Sequence, residues 1–155
     1  MRAAHRLTAA AAAALTVACA TAAPAPSASD RDAARREIDA MMSAAARNWT
    51  HGDLDAFVSD YMPGEGTTYI GGQNRVLRGP DAIRASYAPR FAPGAARDSL
   101  SFERTEVDLL APGVAHVISF YKLTRGDSVT GYGPTSLVMR RDADGRWRIV
   151  HDHSS

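Results

Sequence analysis

The chain has 155 residues, a length that suits one domain. Hydrophobic residues make up 45% and charged residues 23%, enough for a core under an ordinary wet surface. The formal charge is only +1, which excludes a general electrostatic attraction for nucleic acid.

The N-terminal residues read as an export leader. Arg2 and Arg6 make a short basic start, Leu7 to Ala18 is an apolar run, and small residues follow at Ala20, Ala22 and Ala23. The run is too short for a helix across a ~30 Å hydrocarbon core, so the expectation is a cleaved signal peptide over 1–22 and no membrane span. The expected location is outside the cytoplasm, periplasmic or lipid-anchored. Cys19 is the sole cysteine, so no internal disulfide forms. Leu15-Thr16-Val17-Ala18-Cys19 resembles a bacterial lipobox, with Thr16 where leucine is usual. Two fates follow for Cys19: a lipid anchor after cleavage just before it, or loss with the leader.

Residues 23–29 are rich in Ala, Pro and Ser without periodicity and read as a linker, leaving 30–155 as the folded domain. Asp30 or Asp32 offers a helix N-cap. Ala34, Ile38, Met41, Met42, Ala45 and Trp49 then recur at helical spacing, and Gly52 ends the pattern. Asp53 caps a shorter helix carrying Leu54, Phe57, Val58 and Tyr61, stopped by Pro63-Gly64. Thr67 to Ile70 is a short strand closed by Gly71-Gly72. Gly79-Pro80 opens a third helix with Ile83, Tyr87 and Phe91 on its buried stripe.

From Ser99 the period becomes two. Leu100 and Phe102 keep one phase, while Thr105, Val107 and Leu109 keep the other, which predicts a β-bulge or a sharp bend near Arg104. Pro112-Gly113, Gly126-Asp127 and Asp142-Ala143-Asp144-Gly145 are turns between strands predicted at Val114–Leu123, Tyr132–Arg141 and Arg146–His153. The fold class is therefore α+β, with three N-terminal helices on one curved, mainly antiparallel sheet.

Several stretches carry a family likeness. They are Asn48-Trp49-x-x-Gly52-Asp53 with Phe57 and Tyr61 after it, the helix start Gly79-x-x-Ala82-Ile83, and the ending Gly145-Arg146-Trp147-Arg148-Ile149-Val150-His151-Asp152-His153-Ser154-Ser155. In these the chain resembles the nuclear transport factor 2-like superfamily, in its SnoaL-like and ketosteroid isomerase-like bacterial branch, from Asp30 to Ser155. The resemblance implies a cone-shaped half-barrel with a pocket between sheet and helices, and a homodimer. The resemblance leaves activity open, because this fold hosts both enzymes and proteins without a reaction, and no cofactor is expected.

The chemistry-bearing residues are few. His151 and His153, two apart on the last strand, share a face with Trp147 and Ile149 by strict alternation. That places Asp152 on the opposite face and disfavours a metal site built from them. His116 falls in phase with Val114, Ile118 and Phe120, as a histidine among apolar neighbours. Glu106 and Asp108 alternate with Val107 and Leu109 and so face solvent, as does Glu103. Trp49, Tyr69 and Tyr87 pair apolar bodies with polar handles suited to orienting a ligand. Arg104, interrupting an apolar strand, is a candidate anchor for an anionic group.

Two functions stay open on these residues. One is binding of a small apolar carbonyl compound, with proton transfer or hydration carried by His153 and Tyr61, and with Trp49, Tyr69, Tyr87, His116 and Arg104 holding the ligand. The other is a non-enzymatic association module whose pocket is filled by side chains. Pocket volume separates them.

Overall fold

The computed structural model describes residues 25–72 and 75–155; the expected leader over 1–22 and Cys19 lie outside the described residues. The first helix, α1 (Ala28–His51), begins earlier than the Asp30 or Asp32 cap expected from sequence. Ser27 is the true N-cap. Its hydroxyl accepts from the Asp30 N–H at 3.1 Å, and the Asp30 carboxylate accepts from the Ser27 N–H at 3.0 Å. This reciprocal capping box draws Ala28 and Ser29, expected in the linker, into the helix. Ala34, Ile38, Met42, Ala45 and Trp49 form the buried stripe. Gly52 ends α1 at φ 80°, where its N–H and that of Asp53 return to the carbonyls of Trp49 and Asn48.

Asp53 caps α2 (Leu54–Val58), accepting from the Ala56 N–H at 2.9 Å. The chain then runs through β1 (Thr68–Ile70), β2 (Val76–Arg78), α3 (Gly79–Phe91), β3 (Ser99–Ala111), β4 (Val114–Arg125), β5 (Ser128–Arg141) and β6 (Trp147–Ser154). The short β2, which pairs antiparallel with β1, has no counterpart in the sequence reading. Three residues are too few for a period to show.

The six strands form one curved, unclosed sheet in the order β2-β1-β6-β5-β4-β3. All neighbours are antiparallel except β1 and β6. The helices cover its concave side, as the α+β expectation requires. Among the described residues no helix is long and apolar enough to cross a membrane.

Bulges set the sheet's curvature and decide which side chains point in. On β3, Glu103 pairs with Phe120 and Glu106 with Ile118, so Arg104 and Thr105 oppose Ser119 alone. Arg104 takes φ 54°, the left-handed conformation, which is the bulge expected there. Leu100 and Phe102 before it and Val107 and Leu109 after it all pack inward. Glu106 and Asp108 are exposed, as expected.

On β6, Met139 pairs with Ile149 and Val138 with His151, leaving Val150 as an extra residue. One extra residue reverses the phase of everything beyond it. Trp147 and Ile149 point inward, and past the bulge so do Asp152 and Ser154 rather than His151 and His153. The expectation that both histidines share the inner face is overturned. On β4 the inner set is Ala115, Val117 and Ser119, each fully buried, because Leu109 pairs with Ala115 and Val107 with Val117. His116 is therefore on the outer face with Ile118, against the expectation.

Candidate functional site

The cone encloses a cavity of about 350 Å³. Its apolar wall comes from Met41, Met42, Ala45 and Trp49 on α1, Phe57 on α2, and Leu100, Phe102, Leu123, Leu137 and Ile149 on the sheet. Trp49 anchors one side through edge-on contacts to Phe57, Tyr87 and Phe91, with ring centroids 5.2, 5.6 and 5.2 Å away. Its Nε1 donates to the Asp98 carbonyl at 3.1 Å, which ties the end of α1 to the approach to β3.

Polar groups enter this apolar space from two places. The segment after α2 lies against β6: the Ile149 N–H donates to the Asp60 carbonyl at 2.9 Å, and the Met62 N–H donates to the Ile149 carbonyl at 2.8 Å. That bridge fixes Asp60 and Tyr61 at the cavity wall. The β6 bulge supplies Asp152 and Ser154 from the other side. The Tyr61 hydroxyl donates to Asp152 Oδ2 at 2.6 Å, and the Ser154 hydroxyl donates to Oδ1 at 2.7 Å. Thr135 adds a longer contact to the same Oδ1 at 3.5 Å.

Burial raises the Asp152 carboxyl above the usual carboxylate range, against the pull of the Tyr61 and Ser154 hydroxyls. Burial likewise pushes the Tyr61 and Tyr87 hydroxyls well above the usual phenol range, and the nearby Asp152 carboxylate adds to both. Tyr69 is raised more mildly, burial being partly offset by its contact with Tyr87. These three tyrosines and Asp152 form one polar end of a mainly apolar chamber, with the Tyr69 and Tyr87 rings 5.4 Å apart.

Asp60 is the second carboxyl of the wall. Burial pushes it up to about 6, although Arg148 and Arg146 pull the other way. Its Oδ2 is buried and has no hydrogen-bond partner. A carboxyl on the cavity wall that exchanges its proton near neutrality is suited to accept a proton from a bound molecule. Tyrosine hydroxyls held neutral are suited to donate to an oxygen on that molecule.

The structure brings Trp49, Tyr61, Tyr69 and Tyr87 together around the cavity, as the sequence reading grouped them. The other three expected site residues lie elsewhere. His153 is exposed on the outer face, where it pairs in register with Ser136. His116 is also outside, bonded through Nε2 to the Ser136 hydroxyl at 2.9 Å. Arg104 stands over the Phe120 ring at 3.7 Å and bonds the Tyr132 hydroxyl, on the convex side of the sheet. Asp60 and Asp152 are the residues the sequence reading missed. Asp60 lies three positions after Phe57, in the turn just beyond α2, and that spacing was its available signal.

A sequence profile of the SnoaL-like domain matches residues 38–155. The chain belongs to the SnoaL-like domain family. This SnoaL-like domain also resembles solved structures along most of their length. An NTF-2 like protein of unknown function from Shewanella oneidensis is 26% identical, with TM-score 0.71 over 79% of this chain and 98% of that one. ActVI-ORFA from Streptomyces coelicolor is 14% identical, with TM-score 0.67 over 79% and 96%. A protein from Catenulispora acidiphila, solved in complex with S-DNPA, is 15% identical, with TM-score 0.64 over 79% and 94%. The last two share the fold at identities that carry nothing further. No curated protein matches the chain.

Proposed function

We propose that this SnoaL-like domain binds a small, mainly apolar carbonyl compound inside its cone, with the ligand oxygen turned toward the Tyr61, Tyr87 and Asp152 cluster. The observation that carries this reading is the combination of an open cavity of about 350 Å³ with convergent hydroxyl and carboxyl groups at one end. An association module with a filled pocket would have closed that space. Asp60, held at about 6 on the cavity wall, favours proton transfer on the bound compound over passive storage. In such a step Asp60 accepts the proton, and the Tyr87 hydroxyl stabilises the developing oxyanion.

The test is a native mass-spectrometric search for small molecules retained by the purified domain, repeated on Leu137→Trp, which fills the cavity. A small molecule retained by the parent and lost from the variant supports the reading. No retained molecule, and no carbonyl compound from a screened set binding better than about 1 mM, overturns it.

Export and dimerisation belong to the same proposal. The leader pattern of residues 1–22 supports processing to a periplasmic or lipid-anchored form. N-terminal sequencing and mass analysis of the cell-derived protein read this directly, since a retained Met1 removes it and an acylated Cys19 selects the anchor. The exposed Ile118, Val129 and Tyr132 on the outer face support a homodimer through the sheet. Light scattering at twice the chain mass is the expected result, and a monomer at high concentration removes it.

A further inference from the structure

A second cleft, of about 180 Å³, adjoins the main cavity and shares two residues with it, Trp49 and Arg90. Its charge is one-sided. Arg90, Arg97 and Arg125 line it, and Asp98 is its sole acid. Asp98 is already committed, accepting from Arg125 Nε at 2.8 Å with its side chain only 14% exposed. Arg97 lies over Gly52 and reaches the His51 carbonyl at 3.4 Å.

Arg90 differs from both. It sits in the last turn of α3, 5.9 Å from the Trp49 ring centroid. No carboxylate comes within ion-pair distance of it among the described residues, which hold every aspartate and glutamate of the chain. Its positive charge reaches the Tyr69 hydroxyl on the cavity wall. An uncommitted guanidinium at the junction of an oily chamber and a cationic cleft is a docking point for an anion attached to an apolar body.

We propose that Arg90 is the specificity residue of the cavity, and that the bound carbonyl compound also carries a carboxylate, its apolar part filling the cone and its charged end sitting at Arg90. The inference rests on reading the cavity as a ligand site. It adds the ligand's charge and the residue that selects it. A guanidinium binds a carboxylate through paired N–H donors, which a neutral amide of the same shape does not reproduce.

The experiment titrates 4-phenylbutyrate and 4-phenylbutanamide, equal in shape and different in charge, into the folded protein by calorimetry. The parent protein is expected to bind the acid about 10-fold more tightly than the amide, with the preference shrinking in high salt. In Arg90→Gln the two should bind within about 2-fold of each other. Arg90→Lys should keep part of the preference, since it retains the charge and loses the fork. Equal binding of acid and amide by the parent overturns the carboxylate and leaves the cavity reading standing. Binding of neither overturns both. A preference that survives in Arg90→Gln overturns Arg90 as the selecting residue. Should the variants fail to fold, the parent's acid-to-amide ratio alone still decides for or against the carboxylate.

Discussion

The Tyr61 hydroxyl donates to Asp152 Oδ2 at 2.6 Å across 91 residues of sequence, and both groups are buried. This bond joins the segment after α2 to β6 at the polar end of the cavity. Removing the hydroxyl in Tyr61→Phe leaves a buried carboxyl short of a donor, at an expected cost of about 1–3 kcal/mol. Chemical denaturation measures that loss. Ligand affinity should fall with it if the hydroxyl also meets the ligand. A variant as stable as the parent would mean that water or Ser154 takes over the Asp152 oxygen.

Trp147→Ala should cost about 3–5 kcal/mol, since the indole is 5% exposed and its removal leaves a large void. The ring is held on two sides: Nε1 donates to Glu37 Oε2 at 3.0 Å, and the Arg141 guanidinium stands 4.7 Å from the ring centroid. An unchanged denaturation midpoint would contradict the inward phase of the first half of β6.

Helix stripes were legible from residue spacing because every buried position on α1 repeats at three or four residues without interruption. The β3 bulge was legible too, since Leu100 and Phe102 against Val107 and Leu109 show the slip in their own hydrophobicity. The β6 bulge left no such trace. Val150 is as apolar as its neighbours, and beyond it His151, Asp152, His153 and Ser154 are all polar, so no apolar residue marks which face turns in. Alternation carried through Val150 put the histidines in the cavity and Asp152 outside, the reverse of the arrangement found. On β4 the misplacement of His116 has another cause. Ile118 and Phe120 are apolar on the outer face while the fully buried Ser119 is polar on the inner one, and that hydroxyl is satisfied by the Glu103 carbonyl at 3.1 Å. Pattern alone cannot see that satisfaction.

His153→Gln tests the reversed phase from the functional side. The residue is exposed on the outer face, so stability should stay within about 0.5 kcal/mol of the parent. Ligand binding should not change either. Paired calorimetric titrations of parent and variant read this, and a tenfold loss of affinity would return the site to the outer histidines.

Asp60→Asn is the variant that separates a working carboxyl from a structural one, and pH supplies the sign. In the folded chain burial holds the Asp60 carboxyl at about 6, against 3.8 for the free group. Between those values the unfolded chain has released its proton while the folded chain keeps it. Folding therefore takes up a proton, and stability falls as pH rises through this window. Above about 6 both states are ionised and the full penalty applies. It comes to about 2–3 kcal/mol, because each tenfold change in proton affinity is worth about 1.4 kcal/mol. The amide of Asp60→Asn carries no such penalty, so the variant should gain on the parent from about pH 4 to pH 6 and stay more stable at pH 7. Subtracting the two stability curves cancels every contribution the two chains share, leaving Asp60 alone. If Asp60 also serves as the base, the more stable variant should lose proton exchange on a bound carbonyl compound by about 10²–10⁴-fold, while the parent's rate rises through pH 6. A difference curve flat across that range would show that the buried oxygen carries no perturbed proton, and the proton-transfer reading would lose its base.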